Sequence, residues 1–166
     1  MIDRRATTAD AEAIAAIYNE GIEDRIATFE TEPRTVEQIA AQLIERGDRF
    51  PTVVVERGGR VIAWAGAGPY ASRPVYAGIG AHSVYVARAA RGTGAGRAAL
   101  AALCRAYRAR GFWKLTSRIF PENTASLTLH ERDGFRVVGV YHRHGMLDGV
   151  WRDCVIVEKL LDEAES

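Results

Sequence analysis

The sequence predicts a single domain of the α+β (mixed α/β) class, and three observations point to it. The chain has 166 residues, which is the usual length of one domain. Hydrophobic residues make up 48% of it and charged residues 26%, so it can bury a core without disulfides or metals. Strand-like and helix-like patterns follow one another in the order β-α-α-β-β-β-α-β-α-β-β. Because this order mixes a hairpin with helical crossovers, we predict one α+β domain over residues 1–166.

The first third of the chain predicts one strand and two helices. Residues 2–5 fit a short strand, and Thr7 is an N-cap residue for the helix that follows. Residues 21–34 are predicted to form a loop. Thr35 and Gln38 then have the spacing of a capping box, in which each side chain accepts a hydrogen bond from the other residue's backbone N–H. A second helix is therefore expected to begin there.

The middle of the chain predicts a β-hairpin and a further strand. Residues 52–56 and 61–67 are apolar and rich in β-branched side chains, and the glycines of Arg57-Gly58-Gly59-Arg60 supply the turn between them. A loop over residues 68–80 follows, and residues 83–86 form the next strand.

The last third of the chain predicts three strands and two helices. In chain order these are a helix over 95–110, a strand over 113–119, a short helix that ends at Arg132, and strands over 135–141 and 153–160. The last two strands are predicted to be joined by a long turn that contains Gly145 and Gly149.

The composition excludes several classes of partner. Lys and Arg total 22 and Asp and Glu total 21, so the net charge is +1 and no broad positive field is available for nucleic acid. No run of 18 apolar residues occurs, so no membrane-spanning helix is expected.

Cys104 and Cys154 stand alone in apolar surroundings, which favours buried reduced thiols and a cytoplasmic location. His142 and His144 are too few ligands for a zinc site, so no metal is expected.

A glycine-rich turn precedes the long third helix. Arg91-Gly92-Thr93-Gly94-Ala95-Gly96 lets a ligand approach the backbone closely, and N–H groups at a helix N-terminus bind phosphate. A P-loop is excluded because no Gly-Lys-Ser/Thr ending is present. A dinucleotide turn is disfavoured because Phe112, Trp113 and Lys114 stand where the ribose-binding acid is expected. Two interpretations remain: a plain tight turn at the start of a helix, and a site for the pyrophosphate of coenzyme A.

Five motifs relate the chain to a known family. Arg91-x-x-Gly94-x-Gly96 resembles the R/Q-x-x-G-x-G/A signature of the GNAT acetyltransferase superfamily. Four further segments are similar to the phosphinothricin acetyltransferase branch of that superfamily: Thr28–Pro33, Ser83–Val86, Asn123–Phe135 and Gly149-x-Trp151-x-Asp153. The resemblance covers nearly the whole chain, and the motifs occur in the family's order.

The resemblance implies the GNAT fold, a central mixed β-sheet with splayed parallel strands and flanking helices, and acetyl-CoA as the cosubstrate. The pantetheine arm is expected in the gap between the splayed strands, and the pyrophosphate on the backbone N–H groups of the turn. The expected coenzyme-binding residues are Val84, Val86, Arg91, Gly92, Thr93, Gly94, Ala95, Gly96, Arg97, Asn123 and Ser126.

The expected reaction is attack of a neutral amine on the thioester, which needs a base for the ammonium proton and an acid for the leaving thiolate. The branch usually reads Glu-His-Ser-Val-Tyr-Val before the turn, with Glu as its proposed base, whereas this chain has Ala81 there. Either the amine binds already neutral or another group replaces the carboxylate. The candidates are His82, whose usual pKa of about 6.5 suits the task, and Glu30. His130 is the candidate acid, and Tyr85 is a second candidate that is also expected in the core.

The expected acceptor is the primary amine of a small molecule, an amino acid or an analogue such as phosphinothricin or methionine sulfoximine. Phe29 and Trp151 are expected to wall its pocket, and Arg73 and Tyr76 remain from a family loop that is richer in arginine. The resemblance also implies a homodimer. Two alternatives stay open: an acyl-CoA-binding protein with little turnover, and an N-acetyltransferase of proteins or peptides.

Overall fold

The computed structural model describes residues 1–161, and positions 162–166 of the predicted domain lie outside the described residues. Within 1–161, seven strands and four α-helices follow one another in the predicted order, which is confirmed. The strands are β1 (Ile2–Arg5), β2 (Val53–Arg57), β3 (Arg60–Pro69), β4 (Ile79–Val86), β5 (Lys114–Ile119), β6 (Arg136–Leu147) and β7 (Val150–Leu160). The helices are α1 (Ala11–Asp24), α2 (Val36–Arg46), α3 (Ala95–Ala109) and α4 (Thr124–Arg132).

Local signals set the start of α2 but not the end of α1. The capping box is present: Thr35 Oγ1 accepts from the N–H of Gln38 at 3.1 Å, and Gln38 Oε1 accepts from the N–H of Thr35 at 2.8 Å. The loop predicted from residue 21 is wrong at its start, because α1 continues to Asp24. Gly21 leaves room for the ring of Tyr85, and Ile22 is buried, so tertiary contacts hold this last turn in the helix.

The long turn predicted between the last two strands is also wrong. β6 and β7 continue towards each other, and Asp148 and Gly149 join them with φ values of 51° and 76°. Two positive φ values are typical of a type I′ turn, whose twist matches that of a hairpin. The register shifts between Tyr141 and Gly145, and this irregularity interrupts the alternation by which a strand is recognised.

The strands form one mixed sheet in the order β1-β2-β3-β4-β5-β7-β6. Within the described residues, neighbouring strands are antiparallel except β4 and β5. These two pair only at Ile79–Lys114, Gly80–Leu115 and Ala81–Thr116. Beyond that point β4 remains paired with β3 and β5 remains paired with β7, so the two parallel strands splay apart.

Helices cover both faces of the sheet. α3 and α4 pack on one face, where Leu100, Leu103 and Tyr107 are fully buried. α1 and α2 cover the other face of the N-terminal strands, over Trp64 and Tyr85, whose rings stack with centroids 5.1 Å apart. No helix in the described part of the chain is both long enough and apolar enough to cross a membrane.

Candidate active site

The splayed strands leave a gap with backbone groups along one edge. Where the strands part, Ser117 Oγ donates to the carbonyl oxygen of His82 over 2.9 Å, so the backbone groups of His82 point towards β5. Successive residues of a strand point their N–H and C=O groups to opposite edges, so those of Val84 and Val86 also face the gap. An extended ligand with amide groups can pair with them as a further strand.

The glycine-rich turn leads from β4 into the start of α3. Gly92 and Gly94 have φ values of 77° and 91°, which L side chains rarely adopt, and Gly94 is the N-cap of α3. The Thr93 hydroxyl donates to the carbonyl oxygen of Ala90, which ties the turn to the preceding residues. Residues 95–97 have no helical acceptor for their N–H groups, because a helix leaves its first donors unpaired. These donors and the helix dipole favour an anion at this position.

The first and last residues of the turn contact other elements of the fold. Arg91 forms an ion pair with Asp24 at 2.6 Å, so the end of α1 holds its guanidinium. Gly96 lies against Val86 and Leu129, and a Cβ added there would come within 3.1 Å and 3.3 Å of their side chains. Glycine at this position therefore lets α3 approach β4 closely.

α4 begins just beyond the C-terminal end of β5. Asn123 is its N-cap, and Asn123 Oδ1 accepts from the N–H of Ser126 at 3.2 Å. The carbonyl oxygen of Ser126 accepts from His130 Nδ1 at 2.8 Å. Because Asn123 uses its oxygen for the cap, its NH₂ group is the part that can contact a ligand.

A cavity of about 640 Å³ lies beside the strand gap, on the face of the sheet that α1 covers. Its walls are aromatic: Phe29 meets Phe120 edge-on with centroids 4.8 Å apart, and Tyr76 meets Tyr70 at 5.8 Å. Ala81 also lines it, so the position at which the branch carries its glutamate faces this cavity.

Two predicted substrate residues do not line the cavity. Arg73 is exposed, and its carbonyl oxygen accepts from the N–H of Tyr76 in a short 3-10 turn. Trp151 is 54% exposed and lies opposite Met146, next to the hairpin turn. The structure therefore keeps Phe29 and Tyr76 in the wall and separates Arg73 and Trp151 from it.

The two candidate catalytic histidines meet on the opposite face of the sheet. β4 has no register shift against β3, so Ala81 and His82 point to opposite faces. His82 borders the cavity at the strand, but its ring packs on Phe135 at 5.1 Å, in the core under α3 and α4. His82 Nε2 is 2.9 Å from His130 Nε2, and the two residues are only 3% and 2% exposed. Because His130 Nδ1 donates to Ser126, its Nε2 accepts from His82 Nε2 when both rings are neutral.

Burial keeps this imidazole pair neutral. The pKa of His82 is lowered to about 3, chiefly by burial and then by His130, while the backbone of Thr116 acts in the opposite direction. Burial also lowers the pKa of His130, against the effect of its bond to the backbone of Ser126. Near neutral pH, His82 is therefore a weak base, and His130 is not charged.

The carboxylates near the cavity are already paired. Burial alone would raise the pKa of Glu158, but its bonds to Lys114 and Arg136 lower it. Glu30 accepts two hydrogen bonds from Arg34, of which that from Nε is 2.8 Å long. Within residues 1–161, the cavity wall contains no unpaired carboxylate.

Sequence reasoning missed several residues of the cavity wall. Tyr18, Lys114 and Glu158 line it, and so does Tyr85, which the sequence offers only as a second candidate acid. Strand alternation could have placed Tyr85 in the wall, because it shares a face with Ala81. Tyr18 comes from α1 and meets Tyr85 edge-on at 4.9 Å, a contact that no local pattern reveals.

Comparisons with known proteins agree with this geometry. The model of the acetyltransferase (GNAT) family matches residues 14–135. The phosphinothricin N-acetyltransferase of Streptomyces viridochromogenes is 33% identical over 150 residues, which cover 90% of this chain and 82% of that protein. The L-methionine sulfoximine/L-methionine sulfone acetyltransferase of Pseudomonas paraeruginosa is 32% identical over 165 residues, which cover 98% and 96%. The crystal structure of a GNAT superfamily phosphinothricin acetyltransferase from Sinorhizobium meliloti in complex with acetyl-CoA has a TM-score of 0.88 and 30% identity, covering 96% of this chain and 87% of that one.

The fold, the glycine-rich turn and these matches agree on the class of protein. The chain belongs to the acetyltransferase (GNAT) family. Its relatives place it in the phosphinothricin acetyltransferase-like branch of that family, and it is an N-acetyltransferase that uses acetyl-CoA. The resemblance seen in the sequence is confirmed, and so is the predicted mixed sheet with splayed parallel strands.

The buried histidines predict that the fold is sensitive to acid. Below pH 6.5 the unfolded chain takes up a proton at residue 82, whereas the folded chain, with its lowered pKa, does not. From His82 alone, the free energy of unfolding should fall by about 1 kcal/mol for each pH unit between pH 6 and pH 4. Denaturant unfolding at several pH values measures this slope.

His82→Gln should reduce that slope, because glutamine can still bond to His130 but does not titrate. His144→Gln, at an exposed position, is the matched control and should leave the slope as it is. If the native chain and His82→Gln have the same slope, the pair is not the cause of acid sensitivity.

Proposed function

We propose that the chain moves the acetyl group of acetyl-CoA to the primary amine of a small molecule, an amino acid or an amino-acid analogue. The position of the cavity carries this proposal, because the space beside the strand gap is lined by Ala81 and by aromatic walls that include Phe29 and Tyr76. A volume of about 640 Å³ suits a small molecule. The relatives named for phosphinothricin and for methionine sulfoximine support an amino-acid analogue.

The coenzyme would lie along the inner edge of β4. Its pantetheine amides would pair with the backbone of Val84 and Val86, and its pyrophosphate would accept from the N–H groups of residues 92–97. The Asn123 amide and the Ser126 hydroxyl would border the arm from α4. The unpaired backbone groups along the gap and at the start of α3 support this placement.

Attack by the amine forms a C–N bond to the acetyl carbon and breaks its C–S bond. The nitrogen loses one proton and the departing thiolate gains one. Because Ala81 replaces the branch's glutamate and the wall carboxylates are paired, we propose that the amine arrives neutral after losing its proton to water. His82 would act as a positioning residue for His130. His130 remains the candidate donor to the thiolate, and it would pass on the proton that the attacking nitrogen loses.

Turnover of an amine panel tests this function. Thiol release from acetyl-CoA should be seen with amino acids and with analogues such as L-methionine sulfone. The rate should rise with pH up to the pKa of the amine itself, since only the neutral form reacts. In a free amino acid this pKa lies above the value of about 8 for a peptide α-amino group, because the carboxylate stabilises the ammonium form. A flat profile between pH 6 and pH 8 would contradict the neutral-amine step. No turnover with any amine, together with tight coenzyme binding, would favour the acyl-CoA-binding alternative.

Gly94→Val tests the pyrophosphate site. The side chain would stand where the phosphates approach, and about ten- to a hundredfold weaker binding of coenzyme A is expected from the loss of hydrogen bonds to a charged group. Gly59→Val is the matched control, because Gly59 also has a positive φ, 77° against 91°, but lies in the β2–β3 turn. Calorimetric titration with coenzyme A measures both, and equal affinities in the two variants would remove the site from this turn.

A homodimer is the assembly that we propose. Exposed apolar side chains cluster on β6 and β7, each between 43% and 58% exposed: Val137, Val138, Val140, Tyr141, Met146, Val150 and Trp151. Such a surface marks an interaction site, and β6 is an edge strand. Sedimentation should give twice the chain mass of 18.2 kDa, and Val140→Glu should give single chains. A native mass of one chain would contradict the dimer.

A cytoplasmic location is also part of the proposal. Cys104 and Cys154 are buried free thiols. Burial raises the pKa of Cys104 to about 11, so this thiol is unreactive. Free thiols of this kind fit a reducing compartment.

A further inference from the structure

A side pocket next to the acceptor cavity contains an arginine without a counter-ion. The pocket has a volume of about 160 Å³ and shares Tyr18 and Ser83 with the main cavity, so the two spaces adjoin. Arg46, the last residue of α2, lines it. Among the residues that the structure describes, the Arg46 guanidinium has no hydrogen-bond or ion-pair partner.

The guanidinium lies over two glycines of β3. Arg46 Nη1 is 3.4 Å from the point where a Cβ of Gly66 would stand, and Nη2 is 3.6 Å from the corresponding point of Gly68. Gly66 is paired with Ser83 and Gly68 with Ala81 on β4. Directly opposite side chains are about 5 Å apart, so the cation lies within about 9 Å of the Cβ of Ala81.

The electrostatics of the side pocket favour an anion. Burial lowers the pKa of Arg46, but an arginine keeps its charge in a protein. A half-buried cation without a partner is costly, because it has lost water and gained no counter-charge. Glu30 and Arg34 also line the pocket, but they bond to each other and their charges cancel. Glu45 attracts the Arg46 charge but forms no bond with it, so no bonded carboxylate balances this charge.

We infer that Arg46 binds the carboxylate of the acceptor. This inference rests on the proposed function and adds to it the residue that recognises the substrate. A carboxylate on Arg46 would lie over Gly66 and Gly68. The α-amine, two bonds further on, would lie over β4 beside Ala81, next to the gap where the thioester is expected. The missing glutamate side chain leaves this space open.

Two cations of the main cavity fit the role less well than Arg46 of the side pocket does. Lys114 is bonded to Glu158 at 3.1 Å, so its charge is already balanced. Arg118 is exposed and keeps its hydration, so it gains less from an anion than a half-buried guanidinium does. The planar N–H groups of Arg46 form a fork over Gly66 and Gly68, and this fork suits a carboxylate.

The test compares one acceptor with and without its charge. For L-methionine sulfone, Arg46→Gln should lower kcat/KM about ten- to a hundredfold, because a hydrogen bond to a charged group is lost. For the carboxamide of the same compound, kcat/KM should change by no more than about threefold. Each acceptor is compared with itself across variants, so the different pKa values of the two amines cancel. Arg46→Lys should recover part of the loss, since it restores charge without the fork.

Controls separate this role from folding and from turnover. Arg57→Gln, at an exposed position of β2, should leave both acceptors unchanged, and Arg46→Gln should bind coenzyme A as the native chain does. Calorimetry then titrates L-methionine sulfone into the complex with free coenzyme A, which measures recognition without chemistry. Binding by the native chain but not by Arg46→Gln would support the inference even if no amine were acetylated and the proposed function failed.

Three results would overturn the inference. They are an equal loss for the carboxylate and the carboxamide, a selective loss in Arg118→Gln instead of Arg46→Gln, and no binding of L-methionine sulfone by the native complex.

Discussion

The parting of β4 from β5 is the feature on which the rest of the site depends. Three residue pairs hold the two parallel strands together, and the last of them is Ala81–Thr116. Beyond it the backbone groups of Val84 and Val86 have no strand to bond, and backbone groups withdrawn from water need partners. The fold thus places unpaired donors and acceptors along a groove that ends at the N-terminus of α3, where further N–H groups are unpaired. An amide-containing ligand with a pyrophosphate satisfies both sets.

The alternation of side chains along β4 divides the functions between the two faces of the sheet. His82, Val84 and Val86 point towards α3 and α4, whereas Ala81 faces the acceptor cavity. The branch places its proposed base at the position of Ala81, so the loss of that carboxylate changes the cavity and leaves the coenzyme side as it was. Arg46 lies near this open space without a bonded counter-charge. In the mechanism that we propose, the carboxylate of the acceptor binds Arg46, and the amine of the acceptor arrives neutral.

The histidine pair links chemistry to stability. Two imidazoles in the core at 2.9 Å satisfy one hydrogen bond between them, and they remain stable only while both are neutral. A charge on either would be buried beside the apolar ring of Phe135. The arrangement therefore suits a positioning role near neutral pH better than proton abstraction from the acceptor.

The sequence by itself determined the order of the strands and helices, the capping box at Thr35, the glycine-rich turn and the family, because each depends on residues close together in the chain. Tertiary structure decided where α1 ends, because the contact of Gly21 with Tyr85 holds the last turn in the helix. It also decided the register shift in the β6–β7 hairpin, which interrupts the alternation of side chains along β6. It also decided that His82 faces His130 and that Arg46 reaches across β3 towards Ala81. These residues lie far apart in sequence, and only the packing of helices on the sheet brings them together.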